Sequence, residues 1–347
     1  MATTAAVPAP SRPRPLAISN WLLLVAALVL AMVVVGGITR LTESGLSIVK
    51  WEPISGVLPP LGDSAWQAEF AAYRHSPQYE LVNSGMSLAD FKTIFFWEYV
   101  HRLLGRVIGL LFALPLIWFA WKRAIPKTYG WKLVAIFGLG CLQGGIGWWM
   151  VASGLVDRPE VSHIRLAIHL LTALTIFSAS LWVALDLRAL AGNPEARPSL
   201  MPTAGIWTLC LLALQLMYGA YVAGLDAGYA YNTWPKMGDE WFPADTLMMH
   251  PWILNLVDNP IVVQFIHRWL AFCVAAMVVL LAATAWRRGR RRYAIAVLAA
   301  VILQISLGIS TLLSGVKISL AASHQGMAVL LLATILATSH ALGERSA

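Results

Sequence analysis

Eight separate runs of this chain stay apolar for about the 20 residues needed to cross the hydrocarbon core of a bilayer, and no other feature narrows the fold so far. They are 20–38, 95–121, 131–152, 164–187, 204–224, 261–286, 293–313 and 319–341. In lipid every backbone N–H and C=O must be satisfied inside the protein, which a helix does within one segment. An all-α integral membrane protein with eight transmembrane helices is therefore predicted. Charged residues make up 12% of the chain, against about 25% in a soluble domain, which excludes an ordinary soluble fold. The net charge of +8 needs no nucleic acid to explain it. Arg12, Arg14, Lys122, Arg123, Lys127, Lys132, Arg188, Arg197, the group Arg287, Arg288, Arg290, Arg291 and Arg292, and Arg345 all fall on one side of the spans. By the positive-inside bias that side is cytoplasmic, and both termini lie there. The first apolar run is long enough to span and ends without a small-residue cleavage site, so an uncleaved start is expected. Cys141, Cys210 and Cys273 all sit in apolar runs, which supports neither a disulfide framework nor a zinc site.

The spans repeat in two groups of four. Gly36, Glu43, Gly45 and Trp51 recur 183 positions later as Gly219, Asp226, Gly228 and Trp234. Leu142-Gln143, Gly147 and Ser153-Gly154 recur 161 positions later as Leu303-Gln304, Gly308 and Ser314-Gly315, and Leu214-Gln215 with Gly219 shares the Leu-Gln-x-x-x-Gly pattern. Small residues are common wherever membrane helices approach closely. Histidines and Trp-bearing loops recur with them here, which makes duplication the better reading. Four helices per unit send both units into the membrane the same way, related by a pseudo-twofold along the membrane normal. The expected parts are a cytoplasmic tail 1–19, a four-helix half 20–190, a cytoplasmic linker 191–203, a second four-helix half 204–341 and a tail 342–347. Two long outer loops, 39–94 and 225–260, carry Trp51, Trp66, Trp234, Trp241 and Trp252 and are expected to lie against the interface.

The chemistry gathers at the outer ends of the even-numbered spans. Glu98-Tyr99-Val100-His101-Arg102 is echoed by Gln264-Phe265-Ile266-His267-Arg268, and each is followed two helices later by another histidine, His169 or His324. A single such histidine is most simply a helix-end residue bonded to a carbonyl. Four at matching places in a repeat point to two pairs of axial haem ligands, because polar groups within a span are costly and two facing imidazoles can hold iron from both sides. His75 and His250 are in outer loops, His163 is about 120° round the helix from His169, and His340 is about 24 Å along the helix from His324. Solvation at the interface is expected for these four. Arg102, Arg106, Arg165 and Arg268 suit haem propionates and lipid headgroups equally. Glu98 shares a helical face with His101, three residues on, and either carries unit-specific chemistry or is a helix N-terminal acid. Gln264 at the matching position suggests that the fold accepts a neutral amide there.

These stretches, with Gly36-Gly37-Ile38-Thr39-Arg40-Leu41-Thr42-Glu43-Ser44-Gly45-Leu46-Ser47, Trp51, Pro53, Gly105-Arg106, Arg165-Leu166-Ala167-Ile168-His169-Leu170, Gly224-Leu225-Asp226-Ala227-Gly228, Asn232-Thr233-Trp234-Pro235 and His324-Gln325, resemble the haem A synthases over about residues 20–340. The likeness is to the mitochondrial and alphaproteobacterial branch, since this chain lacks the outer-loop cysteine pairs of some other bacterial members. The resemblance implies an oxidoreductase of the bacterial inner membrane that turns the C8 methyl of haem O into a formyl group by successive hydroxylations, making haem A for terminal oxidases. It implies substrate haem between His101 and His169, with Glu98 as the catalytic carboxylate, and a haem b cofactor, with its iron, between His267 and His324. It also implies haem O delivered by haem O synthase and an electron donor of unspecified identity; contact with membrane lipid and no nucleic-acid partner are expected, and a homo-oligomer stays open. Two rivals stand beside this reading. One is a di-haem b-type membrane electron-transfer protein, which conversion of haem O to haem A would exclude. The other is a transporter, which a protein purified without haem absorbance would favour.

Overall fold

Helical hydrogen bonding does not stop at the edge of the lipid, and the helices here are longer than their apolar runs. The computed structural model describes residues 13–343 apart from 53, 54, 157 and 245. Arg12, Pro53 and Arg345, with most of the two tails, lie outside the described residues. Among the described residues there are ten α-helices and no strand. They are α1 (Pro15–Leu41), α2 (Asp63–Tyr73), α3 (Pro77–Leu81), α4 (Leu88–Trp121), α5 (Gly130–Ala152), α6 (His163–Gly192), α7 (Thr203–Gly224), α8 (Pro260–Arg287), α9 (Arg291–Leu313) and α10 (Ile318–Leu342). All but α2 and α3 are long and apolar enough to cross a membrane.

The largest departure from the expected bounds is α4, which starts seven residues before residue 95. Hydropathy misses this stretch because Asp90 and Lys92 interrupt it, but a cap starts the helix. Ser87 Oγ accepts from the Asp90 amide at 3.2 Å and donates to Asp90 Oδ2 at 2.6 Å. The extra turns stand beyond the apolar run and build a small aromatic core with α2, in which Phe70, Tyr73, Phe91, Ile94 and Phe95 are buried. The Phe70 and Phe91 rings lie 5.0 Å apart, and Trp66 meets Phe95 edge-on at 5.0 Å. The first outer loop is thus corrected from a segment draped on the interface to a folded cap, of which Trp66 is a packed part. At the corresponding start of α8, Asn259 caps the Ile261 and Val262 amides and Pro260 fills the first turn, where a missing N–H costs nothing.

Within the first four spans α1 meets α4 and α6, and α5 meets α4 and α6. Within the last four, α7 meets α8 and α10, and α9 meets α8 and α10. Contacts between the two sets run through α1 and α6 on one side and α7 and α10 on the other. Polar ties mark that seam. Gln325 Nε2 donates to the Val33 carbonyl at 3.0 Å, lying over Gly37, where any Cβ would collide with it. Arg40 pairs with Asp226 at 2.8 Å. Nearby in the outer loops, burial pushes the Glu160 carboxyl up, Asp226 adding to this and Arg40 opposing it.

Two histidines expected to be solvated are seam residues instead. His163 is buried against Gly224, with Nε2 3.2 Å from Asp258 Oδ1. His340 Nε2 lies 3.0 Å from Oδ1 of the buried Asp186, which also accepts the Ser199 amide at 2.9 Å. Distance along one helix says nothing of what a neighbouring helix brings alongside, and that is where the expectation fails. His75 and His250 are exposed, as expected.

Candidate haem-ligand site

Each of the four singled-out histidines lies over a glycine on the preceding membrane helix. A Cβ at Gly36 would sit 3.1 Å from Cε1 of His101, at Gly147 2.9 Å from that of His169, at Gly219 3.1 Å from that of His267 and at Gly308 2.8 Å from that of His324. These separations are shorter than carbon atoms normally hold, so the imidazoles fill notches that only glycine leaves open. His101 on α4 and His169 on α6 are close enough to interact electrostatically, as are His267 on α8 and His324 on α10. All four remain half-buried, keeping accessible surface inside the bundle.

Three glutamines that the sequence reading took only as part of the repeat also meet these rings, Gln143 and Gln215 by their side-chain amides and Gln304 by its backbone carbonyl. Gln143 Nε2 lies 3.1 Å from His169 Nδ1 and 2.9 Å from the His169 carbonyl. Gln215 Nε2 lies 3.1 Å from His267 Nδ1 and 3.0 Å from its carbonyl. His324 Nδ1 lies 3.2 Å from the Gln304 carbonyl. The available signal was the spacing in Gln-x-x-x-Gly, which puts amide and notch on one face, one turn apart.

The residues fit a haem on three observations. Paired imidazoles supply two axial nitrogens and leave the equatorial positions to a macrocycle. His324 faces a carbonyl with Nδ1, which favours the tautomer whose Nε2 is free to bind iron. The Oε1 atoms of Gln143, Gln215 and Gln304 are buried without partners, as is Nε of Arg268 beside His267. Iron on Nε2 leaves a proton on Nδ1, which the Gln304 carbonyl would accept at His324 and the Gln215 carbonyl at His267. Arg268 Nε is a donor left for an anion such as a propionate. Among the described residues no group of three or more His, Cys, Asp or Glu is gathered as an ion site.

Glu98 and Gln264 hold outer loops by opposite polarity. Glu98 is buried, and its Oε2 accepts from Ser47 Oγ at 2.7 Å and the Ile48 amide at 2.8 Å. Its Oε1 accepts from Arg102 Nη2 at 2.6 Å and Nε at 3.0 Å. Gln264 faces carbonyls instead, donating to Ala227 at 2.8 Å and Tyr231 at 3.0 Å while its oxygen accepts from Arg268 at 3.0 Å. The expectation that a neutral amide suits position 98 is corrected on this ground. The loop offers donors at Glu98 and acceptors at Gln264.

The arginines are likewise engaged by carbonyls. Arg102 binds those of Ile48 and Lys50, Arg106 that of Glu52, and Arg268 those of Tyr231, Thr233 and Lys236. Arg165 donates to the Trp149 carbonyl at 2.7 Å and lies 4.5 Å over the Trp149 ring.

Comparison with known proteins places the whole chain in one family. Residues 19–336 match the cytochrome oxidase assembly protein family, COX15-CtaA. A protein of Rhizorhabdus wittichii named "Heme A synthase" is 56% identical over 337 residues, covering 97% of both chains. One of the same name from Sphingopyxis alaskensis is 50% identical, covering 96% of this chain and 94% of its own. Another, from Rhodospirillum centenum, is 48% identical, covering 97% and 91%.

Proposed function

This chain belongs to the cytochrome oxidase assembly protein family, and from that premise we propose that it is a haem A synthase of the inner membrane, oxidising the C8 methyl of haem O to a formyl group. The observation that carries this is the fourfold seating of histidine on glycine, with His101 near enough to His169, and His267 to His324, to interact electrostatically. In this reading His101 and His169 hold the substrate haem, and His267 and His324 hold a haem b. The two pairs belong to two four-helix halves, 20–190 and 204–341. A bound haem supplies the redox chemistry, and the chain supplies ligation, orientation and electrostatics. Arg268 Nε is the donor for a propionate in the second half. Glu98, with Arg102, holds the outer cap closed over the first pair and keeps a negative charge beside it. That charge would stabilise positive charge developing at the methyl carbon or take up a proton. Haem O synthase is the natural supplier of substrate, and an electron donor completes the cycle.

The test is pigment extraction from cells lacking their own enzyme that express this chain beside haem O synthase. Haem A should appear; haem O alone would leave a di-haem electron carrier as the better account. The notches give a second test. Gly308→Ala should push His324 off its seat and lower the amount of low-spin haem retained, while Gly138→Ala, where a Cβ meets nothing within 4 Å, should leave it unchanged. Equal retention in both would remove the notch from the argument. Orientation gives a third. Reporter fusions at Arg290 and Gly238 should read as cytoplasmic and external respectively, and like signals would overturn the assignment of sides.

A further inference from the structure

The four seats are not equal. On α5, α7 and α9 the notch glycine follows Gln143, Gln215 or Gln304 by four residues, but on α1 that place holds Met32. In sequence, a thioether residue thus holds the place of an amide. The Met32 methyl lies 3.3 Å from where a Cβ of Gly105 would be, one turn beyond His101. The other three histidines are followed at that spacing by Ala173, Ala271 and Ala328. Methionine and glycine thus replace glutamine and alanine together, and the bulkier apolar side chain is accommodated by the smaller neighbour. The consequence is chemical. The Gln143 amide reaches both ring nitrogens of His169, at 3.1 and 3.4 Å, His267 has the Gln215 amide at Nδ1 and the Gln215 carbonyl beside its ring, and His324 has a carbonyl at Nδ1. Among the described residues no amide or carbonyl stands at Nδ1 of His101.

A hydrogen bond at Nδ1 fixes the tautomer and orientation of a ligating imidazole and raises its basicity. We propose that His101 is the releasable axial ligand of the first pair. Three histidines have a polar partner at the ring, and His101, without one, is free to leave the iron and open that face to a small incoming ligand. The inference rests on reading His101 and His169 as the clamp for the substrate haem. The first and second halves then differ by more than a carboxylate. One pair holds its haem permanently, and the other holds one that must be admitted, exposed to a reactant and let go. Met32 and Gly105 are positioning residues in this scheme, acting through His101.

The probe is carbon monoxide, added to reduced protein purified with its haems and followed by absorbance. In the unaltered protein it should bind the haem between His101 and His169 and spare the other. Installing the amide, in the variant Met32→Gln with Gly105→Ala, should weaken carbon monoxide binding about 10- to 100-fold, with the haem retained. Met32→Leu, which stays apolar, should behave as the unaltered protein does. Gln215→Met, in the other half, should make the resident haem reactive to carbon monoxide, and this arm stands even where the double variant fails to fold. Haem retained in the first pair with carbon monoxide binding unmoved by Met32→Gln, or a resident haem still inert in Gln215→Met, overturns the inference alone. Spectra unaltered by both His101→Ala and His169→Ala would show that no haem sits there, and would overturn the reading of the site with it.

Discussion

Protein carrying His324→Ala or His267→Ala is expected to leave the membrane with little or none of its tightly bound haem b. In the proposed reading each histidine supplies one of two axial bonds, and nothing else near the notch can replace it. A Cβ at Gly308 or Gly219 would be 2.8 or 3.1 Å from the ring, so removing the ring opens a hole over bare backbone. His324 presents Nδ1 to the Gln304 carbonyl, so its ring is already in the tautomer that binds through Nε2. His267 has the Gln215 backbone carbonyl beside its ring in the same way and the Gln215 side-chain amide 3.1 Å from Nδ1 in addition, so a side-chain change at 215 reaches it directly. The measurement is haem per polypeptide together with the low-spin absorbance spectrum. Wild-type haem content and spectrum in both alanine variants would end the assignment of this pair.

The second large effect is at Glu98. Glu98→Gln is expected to abolish haem A formation or lower it sharply while haem b remains. Haem O, or a partly oxidised hydroxymethyl form, should accumulate. The geometry adds a cost that the sequence did not foretell. The carboxylate accepts four hydrogen bonds, two from the outer loop and two from Arg102. An amide must turn its NH2 either on the Ser47 and Ile48 donors or on the guanidinium, so one donor pair clashes in either orientation. Bonds to a charged group contribute about 1.5–3 kcal/mol each, enough to loosen the cap over 39–87. Ser47→Ala separates the two effects, since it removes one loop bond and keeps the charge. If Ser47→Ala loosens the cap to proteolysis and still makes haem A, the charge of Glu98 is what the chemistry uses. If it loses haem A as fully as Glu98→Gln does, Glu98 acts by holding the loop. Normal haem A from Glu98→Gln would dismiss both roles.

The errors of the sequence reading share a cause. Membrane-spanning runs were legible because lipid tests each residue separately, and a window of hydropathy reports that test. The cap on α4 was missed because its first turns leave the lipid, and there Ser87 and Asp90 decide the start. His163 and His340 were misread because their partners come from elsewhere in the chain, Asp258 from the turn before α8 and Asp186 from α6. The glutamines were visible as a repeat, but their use was not.

What the sequence determined by itself was the class of molecule, the number of spans, the bias of charge to one side and the recurrence of four histidines at matching places. Each follows from composition or from spacing along one helix, which a linear chain displays. Tertiary structure alone decided which glycine each histidine faces, that Glu98 meets donors where Gln264 meets carbonyls, and that the Gln143 and Gln215 amides reach the His169 and His267 rings. Those depend on the rotation and depth of one helix against another, set by close contact between side chains far apart in the chain. Residues of the same type at matching positions therefore came to have different surroundings, and the repeat alone could not tell them apart.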